Sequence, residues 1–540
     1  MLAGVLAYIA VCLPLQAFAL LNPILPGWNP DPSILRVGSD YFIATSTFEY
    51  FPGHPIYHST DLVTWKLIGH GLNRASQLSL FGTPTDAGIW APTLRYHAPT
   101  KTFYLSSTAR YAYTAEYRLF PRSFYVTTKN IFADSWSDPI YFDALGYDTD
   151  LFWDTNGDVY STWSGISNAV DKIYSIYQNK IDIATGSSLT EAELIFHGTL
   201  PDNSSARPEG PHIYLINSTY YLLIAEGGAG PEHRSTIQRG PSPSGPWESN
   251  PKNPILFNGA NMSLPVQDTG HSDFNGNFSH QQLGRETFLF PVTWEDGWPV
   301  FNNGQPLSEH IEGVLHDKSP VAAYLNDFTA RALDLTFYFL RTPYKMFHSL
   351  AARPGYLRLN ANAYALGDRD SPALLLRKQT SYVETFETQL EFGAPTNLTE
   401  AGATIFYSDQ LHNDIGVVGD GSGGRRIVIR TSVQAVQVGP WALTYTNSTI
   451  TTVAYYPLTT TSGPVTLRIV GNSTSYSLGY AEGGSTTFTF PVTIDSVVLS
   501  VPPVGGFFFK GAAFGVYNTG NGKPSLAPAD FAYWKQTPGS

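Results

Sequence analysis

The chain is nearly devoid of sulfur: of 540 residues one is cysteine, Cys12, and three are methionine. Cys12 lies in an apolar opening, MLAGVLAYIAVCLPLQAFA, which ends in Ala17-Phe18-Ala19 and reads as a secretory signal peptide over residues 1–19. Cleavage near Leu20 leaves a mature chain with neither thiol nor disulfide, so stability must come from core burial. Charge is scarce as well, at 14% of residues with a net of −12. No basic patch exists to hold nucleic acid, and no second long apolar run exists to cross a membrane. The thirteen histidines contain no HExxH or other close ligand spacing, which argues against a catalytic zinc. Gly227-Gly228 and Gly421 to Gly424 follow strand-like runs without a phosphate-binding fingerprint and read as turns. Helical periodicity is missing from the first half.

What the chain has in quantity is aromatic side chains (14%), glycine (48) and proline (39). That mixture suits short strands, tight turns and aromatic platforms, as in an extracellular all-β protein that handles sugars. Sequons at Asn203, Asn217, Asn261, Asn277, Asn397, Asn447 and Asn472 fit passage through a glycosylating pathway.

One unit recurs. DPSILRVGSDYFIATST from Asp31, WAPTLRYHAPTKTFYLSST from Trp90, DTDLFWDTNGDVYSTWS from Asp148 and EGPHIYLINSTYYLLIAE from Glu209 share a plan. Each runs through a short apolar strand, turns at a polar cluster and returns through an aromatic strand, with outer-strand segments following. A fifth start falls at Gly270-His271, and four strands per unit at a period of roughly sixty residues predict a five-bladed β-propeller. Innermost strands surround the axis, so Asp31, Trp90, Asp148, Glu209 and His271 are expected to converge at one mouth. Taken singly, each carboxylate could be a satisfied structural group. As a set in one funnel they suit glycoside hydrolysis, which needs one protonated and one ionised carboxyl, while a third raises the acid's pKa by repulsion.

The motifs WNPDPSI, STFEYFPGHPIYHSTDLVTW, GIWAPTLRYH, YDTDLF, RPEGPHIY, YYLLIAEGG, TGHSDF and GRETFLFPVTWEDGWP resemble those of family 43 glycoside hydrolases, the β-xylosidase and α-L-arabinofuranosidase group with a C-terminal β-sandwich. The resemblance implies Asp31 as general base, Glu209 as general acid and Asp148 as the carboxylate that tunes and orients the acid. Asp150 competes with Asp148 for that role, because two residues apart on a strand face alike. The resemblance also implies inversion at the anomeric carbon, a sugar pocket lined by Phe48, Trp90, His271 and Arg285, and no obligatory cofactor, with calcium near His271 as an option. The implied substrate is a xylo-oligosaccharide or arabinoxylan: removal of β-1,4-xylosyl units, or, as alternatives, of α-L-arabinofuranosyl units, or sugar binding by a catalytically impaired propeller.

The sequence departs from that family once. After GHSDF it passes through NGNFSHQQL almost directly to GRETF, roughly two dozen residues short of the family pattern, so either the fifth blade is shortened or the predicted gene product has lost an exonic segment. The propeller is expected over 20–315 and a linker over 316–346. From 347 to 540, alternating runs such as YVETFETQLEF, RRIVIRTSV and GPVTLRIVGN predict a β-sandwich. By resemblance an aromatic of the Gly505 to Phe509 run reaches the sugar; sequence does not distinguish among its three phenylalanines, and we assign Phe508.

Overall fold

The computed structural model describes residues 19–111, 122–261, 263–272, 282–312, 321–433, 436–438, 443–445, 449–499 and 508–539. The expected signal peptide apart from Ala19, the sequons at Asn277 and Asn447, most of the NGNFSHQQL stretch, and Phe507 lie outside them.

The described residues are all-β apart from short 3-10 turns. Four sheets of four antiparallel strands follow in chain order, spanning Ser33–Leu72, Gly88–Phe142, Gly146–Phe196 and Glu209–Ser249. The first strands of the four sheets, Ser33–Val37, Gly88–His97, Gly146–Trp153 and Glu209–Ile216, pack against one another in succession and form the centre. Facing blades bury apolar side chains between them. Tyr125 and Phe142 of the second meet Leu151 and Trp163 of the third, and Ile176 of the third meets Ile213 and Leu222 of the fourth.

The expected fifth four-stranded blade is not found: in this half the described residues hold four full blades and two two-stranded ribbons, Val292–Glu295 with Trp298–Phe301 and Ala19–Leu21 with His310–Glu312. A single extended pass over 284–290 fills the gap, bonded to the N-terminal segment: Ile24 N–H donates to Thr287 O (2.9 Å) and Asn29 N–H to Arg285 O (2.7 Å). Phe288, Phe290, Trp298 and Phe301 then pack with Ile43 of the first blade and Leu223 and Ile237 of the fourth. The circle closes on a thin wedge.

The C-terminal half is a sandwich of two eight-stranded sheets. Side chains alternate inward along its strands, as in Glu384–Glu391, where Phe386 and Leu390 enter a core shared with Phe514 and Trp534. Strands from the 316–346 stretch belong to it: Tyr324–Asn326 pairs with Pro528–Pro538, and Tyr338–Leu340 with Leu374–Lys378. Tyr338–Leu340 also pairs on its other side with Tyr50–Phe51 of the propeller, Phe339 opposite Phe51 and Leu340 opposite Tyr50. A propeller loop is thus the outermost strand of a sandwich sheet.

Candidate active site

The four inner strands share a backbone irregularity near their start, and His271 shows it too. Asp31, Ala91, Asp148, Gly210 and His271 all have left-handed φ, at 52°, 29°, 56°, 56° and 50°. In three blades a register shift accompanies it, between Trp90 and Thr93, Tyr147 and Asp150, and Glu209 and His212. Pro92 and Pro211 sit inside two of these bulges, where their missing N–H costs no ladder bond. A conformation that disfavours L-residues, repeated at one position per blade, turns side chains out of the ladder toward the mouth. The five expected residues do meet there, with one adjustment: Asp31, Asp148 and His271 occupy the kink itself, whereas Trp90 and Glu209 precede it by one residue.

The bulge also separates Asp148 from Asp150, which an unbroken strand would have faced alike. Asp150 is fully buried and held from two sides, by Arg95 (Nε–H to Oδ1, 2.8 Å; Nη2–H to Oδ2, 2.7 Å) and by the Ile213 amide (2.8 Å). It ties adjacent blades together. Asp148 instead lines a cavity of about 150 Å³ together with Asp31, Glu209, Phe48, Trp90, His271 and Arg285.

Within this cavity the three carboxyls differ electrostatically. Burial pushes Asp31 up, but Arg285, His271 and a 2.6 Å hydrogen bond from Ser46 outweigh it, and its pKa falls below the usual carboxylate value. Arg285 Nη1–H donates to Asp31 Oδ1 at 2.7 Å and Nη2–H to Oδ2 at 3.4 Å. Glu209 has the opposite fate: burial and the Asp31 charge raise it to about 7, against the opposing pull of Arg207 and a hydrogen bond from Tyr147 Oη (3.3 Å). Burial, Glu209 and Asp31 push Asp148 up as well. Asp148 Oδ2 accepts the N–H of Gly210 at 3.1 Å, which pins the backbone beside Glu209. His271 stands between two carboxylates, Nδ1 3.6 Å from Asp31 and Nε2 4.0 Å from Asp148. One carboxylate is therefore kept ionised and another is held near neutrality, which is the pairing that acid–base chemistry requires.

The remaining wall is aromatic. Phe48 and Trp90 lie against Phe509, the former stacked at 5.8 Å and 30°, the latter perpendicular at 5.6 Å and 87°. Phe48 is held by mutual amide–carbonyl bonds with Ile89 (3.0 Å each), an approach allowed because residue 88 is glycine: a Cβ there would lie 2.1 Å from Phe48 O. The assignment of Phe508 is corrected to its neighbour. Phe508 stacks on Tyr407 (4.7 Å, 10°) within the sandwich core, and Phe509 faces the cavity. Consecutive residues of extended chain point to opposite sides, so only one could reach it.

A larger cavity, about 660 Å³, lies between the first blade and the sandwich beside Tyr57, Trp65, Tyr338 and Lys378. Asp61 is the one carboxylate among its described lining residues, so it offers no acid–base pair.

A family model described as "Glycosyl hydrolases family 43" matches residues 20–299, more than half of the chain. The chain belongs to glycoside hydrolase family 43. A second model, "Beta xylosidase C-terminal Concanavalin A-like domain", matches residues 326–537. A non-reducing-end alpha-L-arabinofuranosidase of Bacteroides ovatus is 35% identical, covering 95% of this chain and 94% of its own. A beta-xylosidase of Bacillus subtilis is 33% identical over 75% and 80% of the two chains. The crystal structure of a xylan beta-1,4-xylosidase from Bacillus halodurans, 31% identical, superposes with a TM-score of 0.83 over 96% of this chain and 100% of that one.

In this family 43 hydrolase the cavity also holds residues that sequence reading passed over. Tyr147 and Arg207 line the cavity beside Glu209, and Ser46 donates to Asp31. Arg207 stands within the RPEGPHIY motif, two residues before Glu209, yet a lone arginine reads as surface charge until the kink turns the strand. Calcium is a poor fit beside His271. The ion takes several oxygen ligands, whereas His271 offers nitrogens, and the described residues contain no group of three His, Cys, Asp or Glu placed to hold a metal.

The Arg285–Asp31 pair sets a pH dependence. Arg285 lowers the Asp31 pKa, so replacing Arg285 by Gln should raise it and move the acidic limb of kcat/KM to higher pH. The alkaline limb, expected near pH 7 if Glu209 is the acid, should move less. A pH–rate profile of Arg285→Gln checks this; an unmoved acidic limb would separate that limb from Asp31.

Proposed function

We propose that the enzyme removes single β-1,4-linked xylosyl units from the ends of xylo-oligosaccharides or arabinoxylan by single displacement with inversion. The observation that carries this reading is the opposed tuning of Asp31 and Glu209 in one small, aromatic-walled cavity. Asp31 takes a proton from a water attacking the anomeric carbon, while Glu209 gives its proton to the departing glycosidic oxygen. Asp148 holds Glu209 in place through the Gly210 amide, and the charge of Asp31 favours the protonated form of Glu209. The step needs only water and these side chains. The sugar face lies against Trp90, Phe48 and Phe509.

The xylosidases of Bacillus subtilis and Bacillus halodurans support the xyloside. The Bacteroides ovatus relative, which is named an arabinofuranosidase and is 35% identical, supports a second reading with α-L-arabinofuranosides. Parallel assays of the two aryl glycosides decide between them, with faster turnover expected for the xyloside. Proton NMR of early product should show α-xylose appearing first from a β-xyloside; β-xylose first would overturn inversion. Secretion of a glycosylated protein forms part of the proposal, supported by the apolar opening and by exposed side chains at Asn203, Asn217, Asn261, Asn397 and Asn472.

A further inference from the structure

The acid–base pair and the aromatic wall leave a buried charged cluster beside them unused. Lys510 follows Phe509 in the chain and is fully buried, as are its two partners. Its Nζ lies 2.9 Å from Glu49 Oε1 and 2.8 Å from Asp86 Oδ1. Both acids belong to the propeller, whereas Lys510 belongs to the sandwich half. The cluster is closed by Tyr407, whose hydroxyl donates to Asp86 Oδ2 (2.7 Å) and whose ring lies 4.2 Å from the ammonium, and by the Asp86 amide, which donates to Glu49 Oε2 (3.0 Å).

Each member of this cluster is tied to one member of the aromatic wall. Glu49 follows Phe48, Lys510 follows Phe509, and the carbonyl of Asp86 accepts the indole N–H of Trp90 at 3.0 Å. The Phe509 carbonyl in turn accepts Arg285 Nε–H at 2.7 Å, and Arg285 holds Asp31. Buried ion clusters add little stability over apolar side chains of the same volume; their best-attested use is to fix one register among several. Apolar contact alone would let Phe509 slide over Phe48, since dispersion has little directionality. Three charges with fixed partners would not.

We propose that Lys510 is a positioning residue for substrate binding: through Glu49 and Asp86 it sets Phe509 against Phe48 and Trp90, so that the sandwich half completes the sugar-binding wall. This rests on the glycosidase reading above and assigns the sandwich a part in affinity.

The test is a double-mutant cycle in the full-length protein with Lys510→Met, Phe509→Ala and both together. It measures kcat and KM for an aryl β-xyloside, xylose affinity by tryptophan fluorescence, and folding by circular dichroism. Lys510→Met is expected to raise KM and weaken xylose binding about tenfold with kcat changed less than about twofold, and to add less than about twofold in the Phe509→Ala background. A variant that melts earlier but keeps wild-type KM and xylose affinity while folded overturns the proposal, as do effects of the two substitutions that simply multiply. Should Lys510→Met not fold, Lys510→Met/Asp86→Asn removes one charge of each sign and faces the same criteria. Absence of turnover in the wild type, with xylose still bound, would count against the glycosidase reading alone, and the fluorescence arm would still judge Lys510.

Discussion

Glu209→Gln should lose about a thousandfold in kcat on an aryl xyloside with a poor leaving group, within the range that a positioned general acid supplies. The amide has nearly the same shape and can still accept from Tyr147, so binding should survive. The loss should shrink as the leaving group becomes more acidic, because a good leaving group needs no proton. Stability should change the other way. A glutamate that titrates near 4.5 when unfolded and near 7 in the site binds its proton more tightly in the folded protein. It therefore subtracts stability progressively as pH rises from about 4.5 to about 7, and fully above that. Gln carries no such cost. The variant's melting temperature at pH 8 is expected to equal or exceed that of the wild type, and full activity in this variant would end the assignment.

Asp31→Asn should be as damaging to turnover and opposite in its effect on stability. Single displacement has no covalent intermediate to fall back on, so without a base the loss on any xyloside should be about a thousandfold, and a better leaving group should not restore it. The Asp31 pKa is depressed in the folded protein, so its charge contributes stability above the ordinary carboxylate range that is lost as pH falls. In the variant, Arg285 stays buried opposite a neutral amide. Removing one partner of a buried pair typically costs about 3–5 kcal/mol. Parallel melting curves at pH 8 should place the Asn variant well below wild type and the Gln variant at or above it. Equal melting temperatures would mean that the two carboxyls do not have the opposed electrostatics described for them.

The contrast between these carboxyls shows where sequence reasoning reached and where it stopped. The period of the repeat brought Asp31, Asp148 and Glu209 to one axis, because a strand that opens on the channel does so in every blade. Side-chain parity failed at the kinks: strand alternation placed Asp148 and Asp150 on one face, and a bulge with a left-handed residue sent them apart. Parity would have served at Phe508 and Phe509, but nothing local says which side of that segment faces the propeller; Tyr407, a hundred residues away, decides it. Arg207 and Tyr147 stayed hidden for a similar reason, since their roles exist only across blades. The shortened last blade was visible as missing chain, whereas the wedge that replaces it depends on pairing with residues 22–29, more than 250 positions away.

The strand at Tyr50–Phe51 gives the two halves a shared fate. Because it is hydrogen-bonded into a sandwich sheet, cutting the protein between its halves would expose a raw edge at Tyr338–Leu340 and free the loop that carries Phe48. Neither fragment would be a sound protein by itself. Heating the intact chain should accordingly give one melting step, and a lineage that exchanged its C-terminal half for a foreign module would have to rebuild the mouth of its own catalytic centre.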